Sequence, residues 1–332
     1  MAFMTREQLV RLNTKLKHEM GETIVEALAA PDVIEISVNS DGFIWLDILG
    51  EGLCDTEKTV SPENLGAALG TVAAMLGTEL NEKSPLLEGR IPFTTSRISG
   101  SIPPVSPDGP SMSIRKHTSK RIPLTQYEKE ERVTPDVAAY LRDALRDGKN
   151  IAVSGGTSSG KTTFTNALIA ELVEIAPKDR LIVIEDTAEL QCTTKNKQSF
   201  VTTETVTMGR LVKTAMRYRP DRILVGEVRG GEALELLKSW NTGHPGGITT
   251  LHANNAPAAL LRMEQLVSEV SISPMSSLIG EAVDVVVHME ERGRIGRQVV
   301  EVIQVNGYRK EEYRYEHVYS LCQQDKSNNP KN

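Results

Sequence analysis

The first apolar positions, Leu9, Leu12, Leu16, Ile24, Val25 and Leu28, recur at helical spacing. In front of them Thr5-Arg6-Glu7-Gln8 fits a capping box, with the threonine hydroxyl and glutamine side chain satisfying orphan backbone N–H groups. Pro31 and Asp32 end that helix. The periodicity then changes: VIEISV (Val33–Val38) and FIWLDIL flank Asp41-Gly42, which predicts a hairpin. Leu65, Leu69, Val72, Leu76 and Leu80 share one face of a second helix, from about Ser61 to Leu80. Gly66 and Gly70 form a GxxxG pattern inside it, read as part of a soluble amphipathic helix because the segment is too short for a membrane dimer. From Gly89 to Lys116, short β-rich pieces alternate with glycine and proline turns, predicting strands of a small α+β domain. Arg97 and Arg115 come near one another only if those strands pair. Residues 116–134 are charged and weakly periodic and read as a linker.

Beyond the linker, Thr134 and Pro135 suit the N-cap and first turn of a helix running to Asp147. NIAVSG reads as a short buried strand, and TFTNALIAELVEI as a helix with Phe164, Leu168, Leu172 and Ile175 on one face. Further strands are expected within Arg180–Asp186 and Arg219–Glu227, and at Ile248–Leu251, Val283–Met289 and Gln298–Val305. Helices are expected at Met208–Arg217, Ala256–Val267 and Ser273–Ala282. Glu291 to Arg297 reads as a basic, solvated hairpin tip. The fold class is α/β: an N-terminal α+β domain (1–115), a linker (116–134), a P-loop domain (135–322) and a polar tail (323–332).

A length of 332 residues agrees with two domains. Hydrophobic residues at 39% and charged ones at 25% exclude a fibrous or mostly disordered chain. The net charge of -6 argues against direct nucleic-acid binding, although a local basic patch would be hidden in that average. Cys54, Cys192 and Cys322 lie far apart and make a poor disulfide framework, so a reducing compartment is expected. The opening residues lack the apolar core of a signal peptide. The best candidate for a span, Leu65–Thr78, has 14 residues and is too short. Any business with a membrane is therefore expected at its surface.

The chemistry concentrates in the second half. Gly155-Gly156-Thr157-Ser158-Ser159-Gly160-Lys161-Thr162 matches GxxxxGK[ST] between a strand and a helix, with Thr163 next in line. Such a loop cradles phosphates with its N–H groups and the helix dipole. Lys161 would set a point charge on the β/γ-phosphates of ATP, and Thr162 would offer its hydroxyl to Mg²⁺. Two later apolar strands end in acids. One ends in Glu185-Asp186, with Glu189 just beyond, and the other in Gly226-Glu227. Ligands of open parallel sheets sit beyond the carboxyl ends of strands, so these acids are expected near the P-loop. Glu227 is expected to activate water and Glu185 to hold Mg²⁺ or position water; the division between them stays open. His252 ends a strand and is expected to sense the γ-phosphate. His244 and His252 have no third ligand near them, which argues against zinc. His18, His117, His288 and His317 have no comparable setting.

Four ordered boxes, the P-loop, IEDTAEL, ILVGEVRGGEA and TGHPGGITTLHANN, resemble the secretion superfamily of traffic ATPases over about residues 30–310. Within it, RPDRILVGEVRGGEALELLKSWNTGHPGG is similar to the conjugative-transfer, TrbB-type branch and its type IV secretion relatives. The resemblance implies a RecA-like C-terminal domain and ATP hydrolysis in a homohexameric ring. It places that ring in the cytoplasm, peripheral to the inner membrane and working with components of a secretion or conjugation machinery there. It also implies that Arg97 and Arg115 reach the terminal phosphate and that Tyr127 lies near the adenine. The type II motors' four-cysteine zinc module and the pilus-retraction branch's C-terminal motif are not seen. Pilus assembly and DNA–protein transfer both remain open as the work done. A pilus assembly or retraction ATPase, a ring-shaped DNA motor, a small-molecule kinase and a nucleotide-binding scaffold are the rival readings.

Overall fold

The computed structural model describes residues 5–321 apart from 49, 50, 92, 93, 95, 117–120, 204 and 294. The expected tail (323–332), Cys322, His117 and part of the expected linker lie outside the described residues. The chain divides into two compact units, Met1–Lys120 and Arg121–Asn332.

In the first unit, helix α1 (Arg6–Ala29) begins with the reciprocal Thr5/Gln8 capping box. Strands β1 (Val33–Val38), β2 (Phe43–Ile48) and β3 (Gly52–Thr59) follow. Helix α2 (Pro62–Leu76) is capped by Ser61 and stops short of the expected Leu80, because Gly77 turns left-handed at φ 71. Strands β4 (Leu86–Arg90), β5 (Arg97–Ser101) and β6 (Ser111–Arg115) complete an antiparallel sheet in the order β3-β2-β1-β6-β5-β4. Alternation along β1, β5 and β6 sends Ile36, Val38, Ile98, Met112 and Ile114 into one core with Leu16, Met20 and Ile24 of α1 and Leu65, Leu69 and Val72 of α2. Apart from Val33, the opposite positions of the same strands are polar.

The second unit starts earlier than the pattern suggested. Helix α3 (Leu124–Lys129) lies within the expected linker, and Leu124, Tyr127 and Val133 are buried in the unit's core. Three apolar anchors outweigh the charged residues around them, so 121–134 is not a free connector. After α4 (Pro135–Arg146) come β7 (Ile151–Gly155), α5 (Lys161–Ile175), β8 (Leu181–Glu185) and β9 (Lys197–Val201). Next are α6 (Met208–Ala215), β10 (Arg222–Val225), α7 (Glu232–Asn241), β11 (Ile248–Leu251) and α8 (Ala256–Ser268). Helix α9 (Ser276–Ala282) and strands β12 (Val285–Arg292), β13 (Gly296–Arg309) and β14 (Glu312–Ser320) end the unit.

The sheet order is β14-β13-β12-β7-β11-β10-β8-β9. From β12 to β9 the pairing is parallel, while β13 and β14 extend it antiparallel. The central strands are buried throughout because helices cover both faces. Ala152, Ile182, Ile184, Val225 and Leu251 face α6 to α9, whereas Ile151, Val153, Leu181, Val183 and Leu224 face α3 to α5. Parallel pairing brings the carboxyl ends of β7, β8, β10 and β11 to one edge of the sheet.

Candidate nucleotide site

Strand β7 runs directly into the phosphate loop, and α5 begins at its lysine. Gly160 opens the helix in the left-handed region, at φ 91, with no side-chain cap. The helix's first amides are therefore not taken by a cap side chain, the arrangement that suits an anion. Ser159 braces the loop by donating its hydroxyl to the Gly156 carbonyl (2.9 Å). Thr157 and Ser158 are exposed, and Thr162 and Thr163 are half-buried on the first turn of α5. The Lys161 ammonium donates to the carbonyls of Gly155 (3.0 Å) and Gly156 (2.7 Å). It also lies 3.4 Å from Nδ1 of His252, just beyond β11.

His252 continues the chain of contacts: its Nε2 is 2.9 Å from Oε1 of Glu227, beyond β10. Lysine carries only donors, so Nδ1 accepts and the proton of the neutral ring sits on Nε2. Burial, then the nearby Lys161 charge, hold this imidazole below its ordinary value and favour that neutral form. Glu227 Oε2 accepts from both Nε (2.8 Å) and Nη2 (2.5 Å) of Arg229. The structure thus brings together Lys161, His252 and Glu227, three residues the sequence singled out, and adds Arg229, which it did not.

Glu185, at the end of β8, is 3% exposed. Its Oε1 accepts the amides of Glu189 (2.7 Å) and Leu190 (2.8 Å), so one oxygen folds the following loop. That leaves less of Glu185 for a direct Mg²⁺ bond than the sequence suggested. Thr162 fits the ion, because P-loop Mg²⁺ is held by one hydroxyl or carboxylate together with phosphate oxygens and water. Among the described residues no cluster of three or more His, Cys, Asp or Glu side chains is arranged to hold a metal by itself. Gly226, where an aspartate would end the strand in the usual P-loop pattern, has a steric reason: a Cβ there would stand 3.1 Å from Cγ of Glu185.

Tyr127 departs from the expectation of an adenine contact. Its ring is 2% exposed and packs edge-to-face on Phe164 of α5, and burial pushes its hydroxyl up to about 12. It supports the P-loop helix from inside the core. Arg297, from the turn expected to be a solvated tip, instead lies along the loop: its side-chain carbons come within 3.2–3.6 Å of the Cβ position of Gly160. His288, passed over in the sequence, is 2% exposed on β12, with Nδ1 2.9 Å from Ser154 Oγ on β7. Only the pairing of β12 with β7 puts it beneath the P-loop, and no local pattern announces that pairing. His244 is a structural group, its Nδ1 facing the Pro220 carbonyl at 3.1 Å.

In the first unit, Arg97 and Arg115 are direct register partners on β5 and β6. Arg90 opposes Arg97 and Glu35 opposes Arg115, so one row across four strands reads Arg90, Arg97, Arg115, Glu35.

The Type II/IV secretion system protein family matches residues 70–314. The conjugal transfer protein TrbB of Rhizobium radiobacter is 45% identical over 315 residues, covering 95% of this chain and 96% of that protein. The type IV secretion system protein PtlH of Bordetella pertussis is 30% identical over 312 residues, covering 83% of this chain and 91% of that one. Among solved structures, the Yersinia pseudotuberculosis ATPase DotB superposes with a TM-score of 0.64 at 20% identity, covering 91% of this chain and 80% of that chain. That likeness shows the fold, an N-terminal α+β unit followed by a RecA-like unit.

Proposed function

The chain belongs to the Type II/IV secretion system protein family and is an ATPase, and from that premise we propose that it is a homohexameric motor of a conjugative transfer system. The observation that carries the reading is the chain of contacts Lys161, His252, Glu227 around a complete P-loop.

The reaction is in-line attack of water on the terminal phosphorus of ATP. A bond forms between the water oxygen and phosphorus, the bond to the ADP oxygen breaks, and the water's proton leaves toward Glu227. The loop amides of Gly155 to Thr163 cradle the phosphates, and Lys161 offsets the charge that develops on the phosphoryl oxygens. Mg²⁺, when bound through Thr162 with Glu185 nearby, adds to that charge stabilisation. His252 couples the lysine that contacts phosphate to the glutamate that handles water, which suits a γ-phosphate sensor. Arg97 and Arg115 are the proposed arginines for the terminal phosphate, as their shared register row supplies paired guanidinium groups.

Among the described residues no helix is long and apolar enough to cross a membrane. We place the ring at the cytoplasmic face of the inner membrane through contacts with partner components of the transfer machinery. Its work is pilus assembly, DNA–protein transfer or both. The test is the mass of the purified protein in solution with and without ATP and Mg²⁺, measured beside phosphate release. A six-copy particle that hydrolyses ATP is expected, whereas a monomer in both conditions would overturn the motor reading. Plasmid transfer from donor cells carrying Lys161→Ala, expected to fail, tests the conjugative assignment.

A further inference from the structure

Glu227 lies past the end of β10, in a segment with no regular structure, so strand packing does not fix its side chain. A general base needs its carboxylate held in one orientation, since a misplacement of about 1 Å costs on the order of a hundredfold in rate.

The segment itself is pinned. The Val228 amide donates to the Thr250 carbonyl (3.0 Å), and the Thr250 hydroxyl donates to the Gly226 carbonyl (2.8 Å). At the other end the amides of Arg229 (2.6 Å) and Gly230 (2.9 Å) both donate to Oε1 of Glu232, at the start of α7. Arg229 is therefore carried on a backbone tied to β11 on one side and to α7 on the other. From that base its guanidinium directs two N–H groups at a single oxygen, Glu227 Oε2. Glu227 Oε1 then faces His252.

We propose that Arg229 is a positioning residue for Glu227: by holding Oε2 it fixes the orientation of the carboxylate that handles the attacking water beside His252. This rests on the reading of Glu227 as the water-activating group. An exposed arginine–carboxylate pair is ordinarily worth only about 0–1 kcal/mol of stability. A purely structural role would therefore leave little to find, but the tied backbone converts the pair into an orienting device. Asp186 and Glu189 also face Arg229, and with Glu227 they raise its proton affinity and keep it charged. Lysine would keep the charge but lose the two-pronged geometry.

The test uses the full-length protein, with phosphate release for kcat, a fluorescent methylanthraniloyl ATP analogue for affinity, and thermal unfolding for stability. Arg229→Ala is expected to lower kcat by about tenfold or more with affinity within about twofold of the parent. Arg229→Lys should fall between the two. Arg229→Gln, which keeps a polar stem, guards against simple misfolding. In the Glu227→Gln background, Arg229→Ala should change kcat little, because the arginine acts only through that carboxylate. Full kcat in Arg229→Ala, or a loss that adds in full to that of Glu227→Gln, would overturn the proposal. Normal turnover by Glu227→Gln alone would instead overturn the reading of Glu227 beneath it, whatever the arginine variants do.

Discussion

Lys161 and His252 stand 3.4 Å apart, ammonium to Nδ1, across the gap between the P-loop and the end of β11. The same ammonium binds the Gly155 and Gly156 carbonyls, so one side chain organises the loop and reports to the histidine. Lys161→Ala is expected to lower ATP hydrolysis by at least about a hundredfold, the scale of losing a preorganised charge at a phosphoryl group. Phosphate release at saturating ATP measures it, and near-normal turnover would contradict the site.

His252 and His288 are both held below the ordinary imidazole value of 6.5, chiefly by burial. A histidine depressed in the folded state stabilises the protein above its unfolded value, and that contribution is lost as the pH falls through and below it. Unfolding free energy is therefore expected to drop between about pH 7 and pH 5, by at most about 1.4 kcal/mol per pH unit for buried His288 and by less for the exposed, solvent-screened His252. Glu290, 3.4 Å from His288 Nε2, limits the effect at that site. Urea titrations at several pH values, repeated with His288→Gln, should show a shallower acid slope in the variant.

Gly226→Ala puts a methyl group 3.1 Å from Cγ of Glu185, whose carboxylate is already tied to two loop amides. The carboxylate cannot move away without releasing Glu189 and Leu190. A destabilisation of about 1–3 kcal/mol is expected, read by urea unfolding, together with slower hydrolysis. A neutral outcome would mean the loop after β8 yields easily.

Arg115→Ala and Arg97→Ala are expected to reduce kcat while nucleotide binding to the second unit persists. The pairing of the two residues in one register row predicts that their effects are not additive. A double-mutant cycle on kcat measures this, and independent effects would argue that only one of them acts.

The parts of the fold legible in the sequence were those where one physical signal dominates. The capping box at Thr5, the Asp41-Gly42 hairpin and the β7–loop–α5 unit announce themselves locally. Strands β3, β9 and β14 escaped because they lie at sheet edges or stay largely exposed, and so lack an apolar run. Helix α3 escaped because Leu124, Tyr127 and Val133 are thinly spread among charges. In the site, strand-end acids and His252 were legible because parallel topology decides where strand ends go. Arg229, Arg297 and His288 were not, since each depends on a contact made only after folding.

The P-loop hangs from a strand with hydrogen-bonded neighbours on both sides, β11 and β12, and every residue from Ile151 to Gly155 is buried. Amides there should exchange with solvent deuterium only through global unfolding, among the slowest in the chain. The exposed Thr157 and Ser158 lie two and three residues further on. A boundary between slowly and rapidly exchanging backbone therefore falls inside the loop itself, so the loop can rearrange on each turnover while its anchor stays put.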